Sequence, residues 1–127
     1  MADTILDTAR RWLAAEPDDD IRAELAALID RAEADGDLTD LDRRFSGRLQ
    51  FGTAGLRAEV AAGSMRMNRL VVRQAAAGLG RWLLDAEADG SIPNASRRGV
   101  VIACDARRKS DVFARDTARV LAALGIR

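Results

Sequence analysis

The chain has 127 residues, of which 48% are hydrophobic, and it carries 20 basic and 20 acidic side chains. This length suits one domain with a modest core, and the net charge of zero gives no reason to expect a nucleic acid or an anionic membrane as partner. Cys104 is the single cysteine and cannot form an internal disulfide. Because it lies in an apolar run, we expect it to be buried. Without a signal-peptide pattern or a long apolar stretch, we expect a soluble protein of the reducing cytoplasm.

Residues 1–48 show only helical patterning. The spacing of apolar side chains predicts one helix over residues 4–15, with Asp3 as its N-cap, and a second over residues 19–34, followed by a shorter one. The acidic run 18–20 is better explained by helix capping than by a metal site, since ligands for hard cations are spaced by intervening turns. We therefore interpret residues 1–48 as a helical N-terminal extension with a structural role, packed on the body that follows.

Residues 49–127 alternate between predicted strands and predicted helices. A first strand is expected over 56–61, and the continuous apolar run 99–104 is typical of a central strand covered on both faces. Helices are expected to begin after Asn68 and at Ser110, each acting as an N-cap. Because such an alternation implies right-handed crossovers, we predict a three-layer α/β/α domain with a mixed, partly parallel sheet, which is truncated.

A glycine loop over residues 51–57, F-G-T-A-G-L-R, separates the two parts of the chain. Gly52 and Gly55 permit positive φ, so backbone amides can converge on an anion. Thr53 adds a hydroxyl, and Arg57 adds a planar fork of donors suited to phosphate or carboxylate. The alternative is a tight turn that leads into a strand, with Arg57 paired to a carboxylate of the protein.

A second candidate site follows the predicted central strand. In open α/β sheets, ligands bind at the carboxyl ends of strands, and Arg107 and Lys109 lie at one such end, directly after Asp105. The same D-x-R pattern also suits a structural ion pair between Asp105 and Arg107. The sequence leaves both interpretations open.

Three stretches together resemble one enzyme family. Residues 51–57 are similar to the N-terminal signature of the α-D-phosphohexomutases, the phosphoglucomutase and phosphomannomutase enzymes. Residues 67–69, M-N-R, resemble the opening of the family's next helix, and residues 100–113 resemble its strand, D-x-R loop and following helix. The resemblance extends from about Leu13 to the last residue, and it is closest to the subgroup with a helical extension ahead of the glycine loop.

The resemblance implies reversible transfer of a phosphoryl group between the 1- and 6-hydroxyls of a hexose phosphate. The reaction passes through a phosphoserine and a hexose 1,6-bisphosphate, which also serves as activator, and its cation is Mg²⁺. Arg57 would contact the phosphoserine or the phosphorylated sugar, and Thr53 and Gly55 would shape the loop. Arg107 and Lys109 would be further phosphate contacts, in a cleft completed by the remaining domains of the same chain.

The family's serine loop, metal loop, sugar-recognition loop and C-terminal phosphate loop do not occur in these 127 residues. We therefore expect an N-terminal fragment with no catalytic residue of its own, inactive by itself, whose uncovered sheet edge favours self-association. Two alternatives stay open. One is a non-catalytic α/β interaction module in which the glycine loop is only a turn, and the other is a phosphopentomutase.

Overall fold

A computed structural model of the protein describes residues 4–127, which form two compact units with the boundary after Val71. The helices of this described part are α1 (Ile5–Ala15), α2 (Asp19–Asp35), α3 (Thr39–Phe45), α4 (Arg69–Ala88), α5 (Ala95–Arg98) and α6 (Ser110–Ala123). The first unit contains α1 to α3 and the start of α4, and the second contains the rest. None of the described helices is both long and apolar enough to cross a membrane.

Polar side chains begin the first two helices. Thr4 is the N-cap of α1 and exchanges hydrogen bonds with Asp7 in a capping box. Asp3, the predicted cap, lies outside the described residues. Asp18 caps α2 by accepting from two amides of its first turn, so this member of the acidic run has the capping role that the sequence indicates.

The first three helices form the helical arm, and they pack on one another around their own apolar core. Helix α1 contacts α2 and α3, and α2 contacts α3. Trp12 and Phe45 meet edge to face, with ring centroids 5.7 Å apart. The buried members of the core are Ala9, Ile21, Leu25, Ile29, Ala32, Leu41, Phe45 and Ala62. Because Ala62 follows the glycine loop in the sequence, the arm and that part of the chain share one core.

The predicted strand over residues 56–61 is not formed. Only an isolated bridge joins Val60 to Met67. The amide of Ala61 donates to the carbonyl of Met67 at 3.1 Å, and the amide of Met67 donates to the carbonyl of Glu59 at 2.8 Å. Because this bridge is parallel, the chain makes a complete loop between Val60 and Met67, and it pairs over too few residues to make a strand.

Asn68 begins α4, as the sequence predicts. Its Oδ1 accepts from the amide of Val71 at 3.0 Å, so the side chain caps the helix. Its Nδ2 donates to the carbonyls of Ala61 and Gly63 at 2.9 and 2.8 Å. Since Asn68 is fully buried, this one side chain satisfies three backbone groups where water has no access.

Helices α4 and α6 lie in close contact within the second unit. A Cβ atom added to Gly80 would lie 2.6 Å from Cδ1 of Leu124, so the two helices approach closely at this glycine. Arg73 donates from Nη2 to Oδ1 of Asp116 at 3.1 Å, and Asp116 is buried. An ion pair and a small residue therefore join the two helices.

The apolar run 99–104 is not a buried central strand. Val100 donates its amide to the carbonyl of Arg127 at 2.8 Å, but Val101 is 98% exposed and Cys104 is also exposed. An extended segment becomes a strand only where a neighbouring strand pairs with it, and residues 4–127 contain only isolated bridges. The predicted burial of Cys104 is therefore wrong, and the predicted mixed sheet is not formed in this part of the chain.

Candidate functional site

The glycine loop is an exposed turn closed by its two glycines. The amide of Gly52 donates to the carbonyl of Gly55 at 2.9 Å, and the amide of Gly55 donates back to the carbonyl of Gly52 at 3.4 Å. Gly55 has φ +94°, a conformation that residues with a Cβ rarely adopt. Thr53 and Ala54 form the exposed tip. Both glycine amides are thus engaged within the turn, while the Thr53 hydroxyl lies at its tip.

Arg57 follows this turn, and its side chain is exposed. Within residues 4–71 it makes no hydrogen bond or ion pair. Glu59, an acidic residue two positions further on, lies near Arg66 instead, with 3.9 Å between its Oε2 and the arginine Nε. The pairing of Arg57 with a carboxylate, which the sequence left open, is therefore absent among residues 4–71. The donors of its guanidinium are therefore unpaired within these residues.

The base of the glycine loop is fastened to the end of α3. The amide of Leu49, shortly before the loop, donates to the carbonyl of Ser64, in the segment after the loop, at 3.2 Å. The hydroxyl of Ser64 donates to the carbonyl of Gly47 at 2.5 Å. The amide of Met65 then donates to the carbonyl of Arg44 at 2.9 Å. The loop is therefore anchored at both ends while its tip is exposed.

The D-x-R segment forms a local turn in the second unit. The amide and Nε of Arg107 donate to the two carboxylate oxygens of Asp105 at 3.0 and 2.7 Å. The bond from the Arg107 amide is the main reason that the pKa of Asp105 lies below its ordinary value, with smaller contributions from the Arg107 side chain and Ser110. The structural ion pair that the sequence left open is therefore formed. It lies on the surface, since the Arg107 side chain is 87% exposed.

The N-cap position of α6 is occupied by Lys109 and not by Ser110, which the sequence predicts. Lys109 occupies the N-cap position of α6 in the left-handed conformation, with φ 63°, which is uncommon for a residue other than glycine. Ser110 is the first residue of the helix, and its hydroxyl oxygen accepts from the amide of Asp105 at 3.1 Å. The prediction that Ser110 is the N-cap is wrong. Its hydroxyl instead ties the helix to the turn before it.

The candidate residues lie on two separate segments. Thr53, Gly55 and Arg57 share the glycine loop of the first unit, and Arg107 and Lys109 share the turn before α6. Glu24 and Arg44 both bond to the backbone of Ala62, in the segment after the glycine loop. The sequence did not indicate these contacts, because charged residues on a helix usually form a solvated face. These contacts are visible only in three dimensions.

No group of three or more His, Cys, Asp or Glu side chains that could hold a metal ion occurs between residues 4 and 127. The Mg²⁺ that the family resemblance implies therefore has no ligand set in this part of the chain.

Comparison with known proteins identifies the family. A sequence model described as phosphoglucomutase/phosphomannomutase, alpha/beta/alpha domain I, matches residues 48–127. The chain belongs to the α-D-phosphohexomutase family. The matched segment begins just before the glycine loop and includes Arg57, Arg107 and Lys109. The description of the matched domain agrees with the predicted α/β/α class, although the structure has helices without a sheet.

Several curated phosphomutases are similar to the chain. A probable phosphoribomutase of Schizosaccharomyces pombe is 41% identical over 116 residues, which are 91% of this chain and 18% of that protein. A phosphoribomutase of Saccharomyces cerevisiae is 40% identical over 95 residues, 75% of this chain and 14% of that protein. A probable phosphomannomutase of Haemophilus influenzae is 44% identical over 63 residues, 50% of this chain and 11% of that protein. No solved structure matches.

The chain therefore spans less than a fifth of the length of these mutase relatives. The alignment with the Schizosaccharomyces pombe protein, at 116 residues, is longer than the segment 48–127 that the family model covers. It must therefore include part of the helical arm. Similarity to that relative therefore extends beyond the segment that the family model matches.

Proposed function

We propose that this chain is the N-terminal part of a phosphosugar mutase and that Arg57 binds a phosphate group in its active site. Membership of the family supports the activity. The assignment of Arg57 rests on one observation: its side chain is exposed beside a glycine-closed turn and has no hydrogen bond or ion pair within residues 4–71. Thr53 and Gly55 shape the turn. Arg107 and Lys109 have a weaker claim, because Arg107 is already paired.

The proposed reaction is reversible phosphoryl transfer between the 1-hydroxyl and the terminal hydroxyl of a sugar phosphate. It passes through a phosphoserine and a sugar bisphosphate, which also activates the enzyme. Phosphoryl transfer depends mainly on alignment and charge stabilisation, and a guanidinium offers paired donors that match phosphate oxygens. The serine and the Mg²⁺ ligands belong, in this proposal, to the remaining domains. The 127-residue chain alone is therefore inactive, and the working enzyme belongs to the cytoplasm.

Two classes of sugar are candidates for the substrate. The resemblance to the phosphoglucomutase and phosphomannomutase enzymes supports a hexose 1-phosphate and hexose 6-phosphate pair. A specific observation favours pentose phosphates as the second candidate: alignments over 116 and 95 residues, which reach far into the helical arm, are with relatives named as phosphoribomutases. Relatives named as phosphomannomutase and phosphoglucomutase match 63, 82 and 86 residues.

An assay of the full-length protein tests both proposals. Glucose, mannose, ribose and deoxyribose 1-phosphates are supplied separately, each with Mg²⁺ and the matching bisphosphate, and formation of the terminal phosphate ester is followed. We expect turnover, and the sugar with the highest kcat/KM identifies the substrate class. Absence of turnover with every sugar would contradict the mutase proposal and favour a non-catalytic interaction module. The 127-residue chain serves as the inactive control.

A further inference from the structure

Glu24, in α2, holds the backbone of the segment after the glycine loop. Its Oε2 accepts from the amide of Ala62 at 3.2 Å, and its Oε1 accepts from Nη1 of Arg44 at 2.7 Å. The same Nη1 donates to the carbonyl of Ala62 at 3.1 Å. An ion pair built from two helices of the arm thus binds both the N–H and the C=O of one buried residue.

The pair is well shielded from solvent on the arginine side. The Arg44 side chain is only 13% exposed, and its Nε also donates to Oδ1 of Asp40 at 3.2 Å. Burial alone would lower the pKa of Arg44, but the hydrogen bond and charge of Glu24, followed by those of Asp40, outweigh it and raise the pKa. Because loss of Glu24 leaves the shielded Arg44 with Asp40 as its remaining carboxylate partner, this contact is more consequential than an exposed pair.

The backbone after Ala62 lies directly against α3. A Cβ atom added to Gly63, whose φ is +118°, would lie 2.7 Å from the carbonyl oxygen of Arg44. That oxygen also accepts from the amide of Met65. Arg44 therefore contacts this segment through its side chain and its main chain, and the segment cannot shift without disturbing α3.

Arg57 lies only five residues before Ala62 in the sequence. The intervening chain is itself paired, since Glu59 and Ala61 both bond to the main chain of Met67. We propose that Glu24 and Arg44 are positioning residues, which set the placement of the Arg57 loop by fixing the segment that follows it. This inference rests on the proposed role of Arg57 in binding phosphate. It gives the helical arm a part in catalysis without contact with the substrate.

Such an effect is large enough to measure. In well-aligned reactions, a misplacement of about 1 Å far from the chemistry lowers the rate about 10²-fold. Glu24→Gln keeps the size of the side chain but replaces one accepting oxygen with an NH₂ donor. This donor would face either the N–H of Ala62 or the Nη1 of Arg44, so one of the two hydrogen bonds is lost. Glu33→Gln is the matched control, because Glu33 pairs with Arg10 on the exposed surface of the arm.

Hydrogen exchange in the 127-residue chain tests the physical contact. The amide of Ala62 is expected to exchange at least about tenfold faster in Glu24→Ala, since both accepting oxygens are lost, and at an unchanged rate in Glu33→Ala. Unchanged exchange at Ala62 in both variants would overturn the inference. This measurement does not depend on the proposed enzymatic function.

A double-mutant cycle in the full-length enzyme tests the positioning role. Glu24→Gln is expected to lower kcat/KM about tenfold in the native background and less than about twofold when Arg57→Ala is already present. A merely structural effect would lower kcat/KM equally in both backgrounds, and that result would overturn the inference. If Glu24→Gln failed to fold, Arg44→Lys would be carried through the same cycle.

The cycle also separates this inference from the proposed function. If Arg57→Ala alone left kcat/KM unchanged, the phosphate-binding role of Arg57 would be wrong. The positioning role of Glu24 and Arg44 would then be wrong as well. If Arg57→Ala lowered kcat/KM strongly while Glu24→Gln and Arg44→Lys left it unchanged, only the positioning role would be contradicted.

Discussion

The Nε of Arg107 lies 2.7 Å from Oδ2 of Asp105, so this arginine is already engaged with a carboxylate. Arg57 has no such partner within residues 4–71. Asp105 occupies the Nε donor of Arg107 and leaves its Nη groups, whereas every donor of Arg57 is unpaired within residues 4–71. Arg57 is therefore the stronger candidate of the two for binding a phosphate.

The turn at Asp105 predicts a specific titration. Because the Arg107 amide is the main cause of the lowered pKa of Asp105, Arg107→Ala should return that pKa only part of the way to its ordinary value. The folded pKa is below the unfolded one, so stabilisation by this carboxylate is present at neutral pH and lost as the pH falls through the folded value. NMR titration of the carboxyl carbon measures both pKa values, with Arg108→Ala as control. A full return in Arg107→Ala would show that the guanidinium dominates.

Two glycines of α4 should respond in opposite directions to substitution by alanine. A Cβ at Gly78 meets no atom within 4 Å, so Gly78→Ala is expected to raise the free energy of unfolding by about 0.5–1 kcal/mol. A Cβ at Gly80 would lie 2.6 Å from Cδ1 of Leu124 and 3.1 Å from Cδ2 of Leu121. Gly80→Ala is therefore expected to lower the free energy of unfolding by about 1–3 kcal/mol. Urea denaturation of both variants measures the two values. Equal effects would contradict the close approach of α4 and α6.

Glu16 predicts a pH dependence of stability. Its side chain is buried, Oε1 accepts from the amide of Asp18 at 3.1 Å, and Oε2 has no hydrogen-bond partner among the described residues. Burial is the main cause of the raised pKa of Glu16. A carboxyl group with a raised folded pKa contributes its full stability below the unfolded pKa, and this contribution is lost as the pH rises through the folded pKa.

Glu16→Gln should therefore be more stable than the native chain at pH 7, with a gain that disappears toward acidic pH. Urea denaturation at a series of pH values measures this, and Glu33→Gln provides an exposed glutamate as control. A stability difference between Glu16→Gln and the native chain that stays constant with pH would show that Glu16 does not titrate as the structure implies.

The exposed segment around Val101 predicts self-association of the 127-residue chain. Val101 is 98% exposed on an extended stretch of chain, and exposed apolar side chains on extended backbone favour pairing with another molecule. The apparent mass in light scattering should rise with concentration, and Val101→Lys should reduce that rise. Ala122→Asp, at an exposed position of α6, is the control. A monomer at high concentration would contradict the prediction.

The helical arm could be predicted from the sequence almost residue by residue. The expected helices over 4–15 and 19–34 are observed as Ile5–Ala15 and Asp19–Asp35. Their caps and apolar spacing are local signals that do not depend on distant parts of the chain. The cap at Asn68 could be predicted for the same reason.

The strands could not be predicted correctly, because a strand depends on a partner. The apolar residues of 99–104 indicate burial only if neighbouring strands cover them, and the described chain provides none. The contact of Glu24 with Ala62 joins residues 38 positions apart, so no spacing rule reveals it. The sequence could therefore point to Arg57 as a candidate, because its signal is local, but it could not point to Glu24 or Arg44, whose contacts with Ala62 are long-range.

The phosphate-binding role of Arg57 is tested most directly by Arg57→Ala in the full-length enzyme. Because the Arg57 side chain is exposed, the melting temperature should change little, while kcat/KM should fall about 10²-fold or more as a charged donor pair to phosphate is lost. Arg22→Ala, at an exposed arginine of α2, should leave kcat/KM unchanged. If Arg57→Ala turned over its sugar phosphate as fast as the native enzyme, Arg57 would not be the phosphate-binding residue.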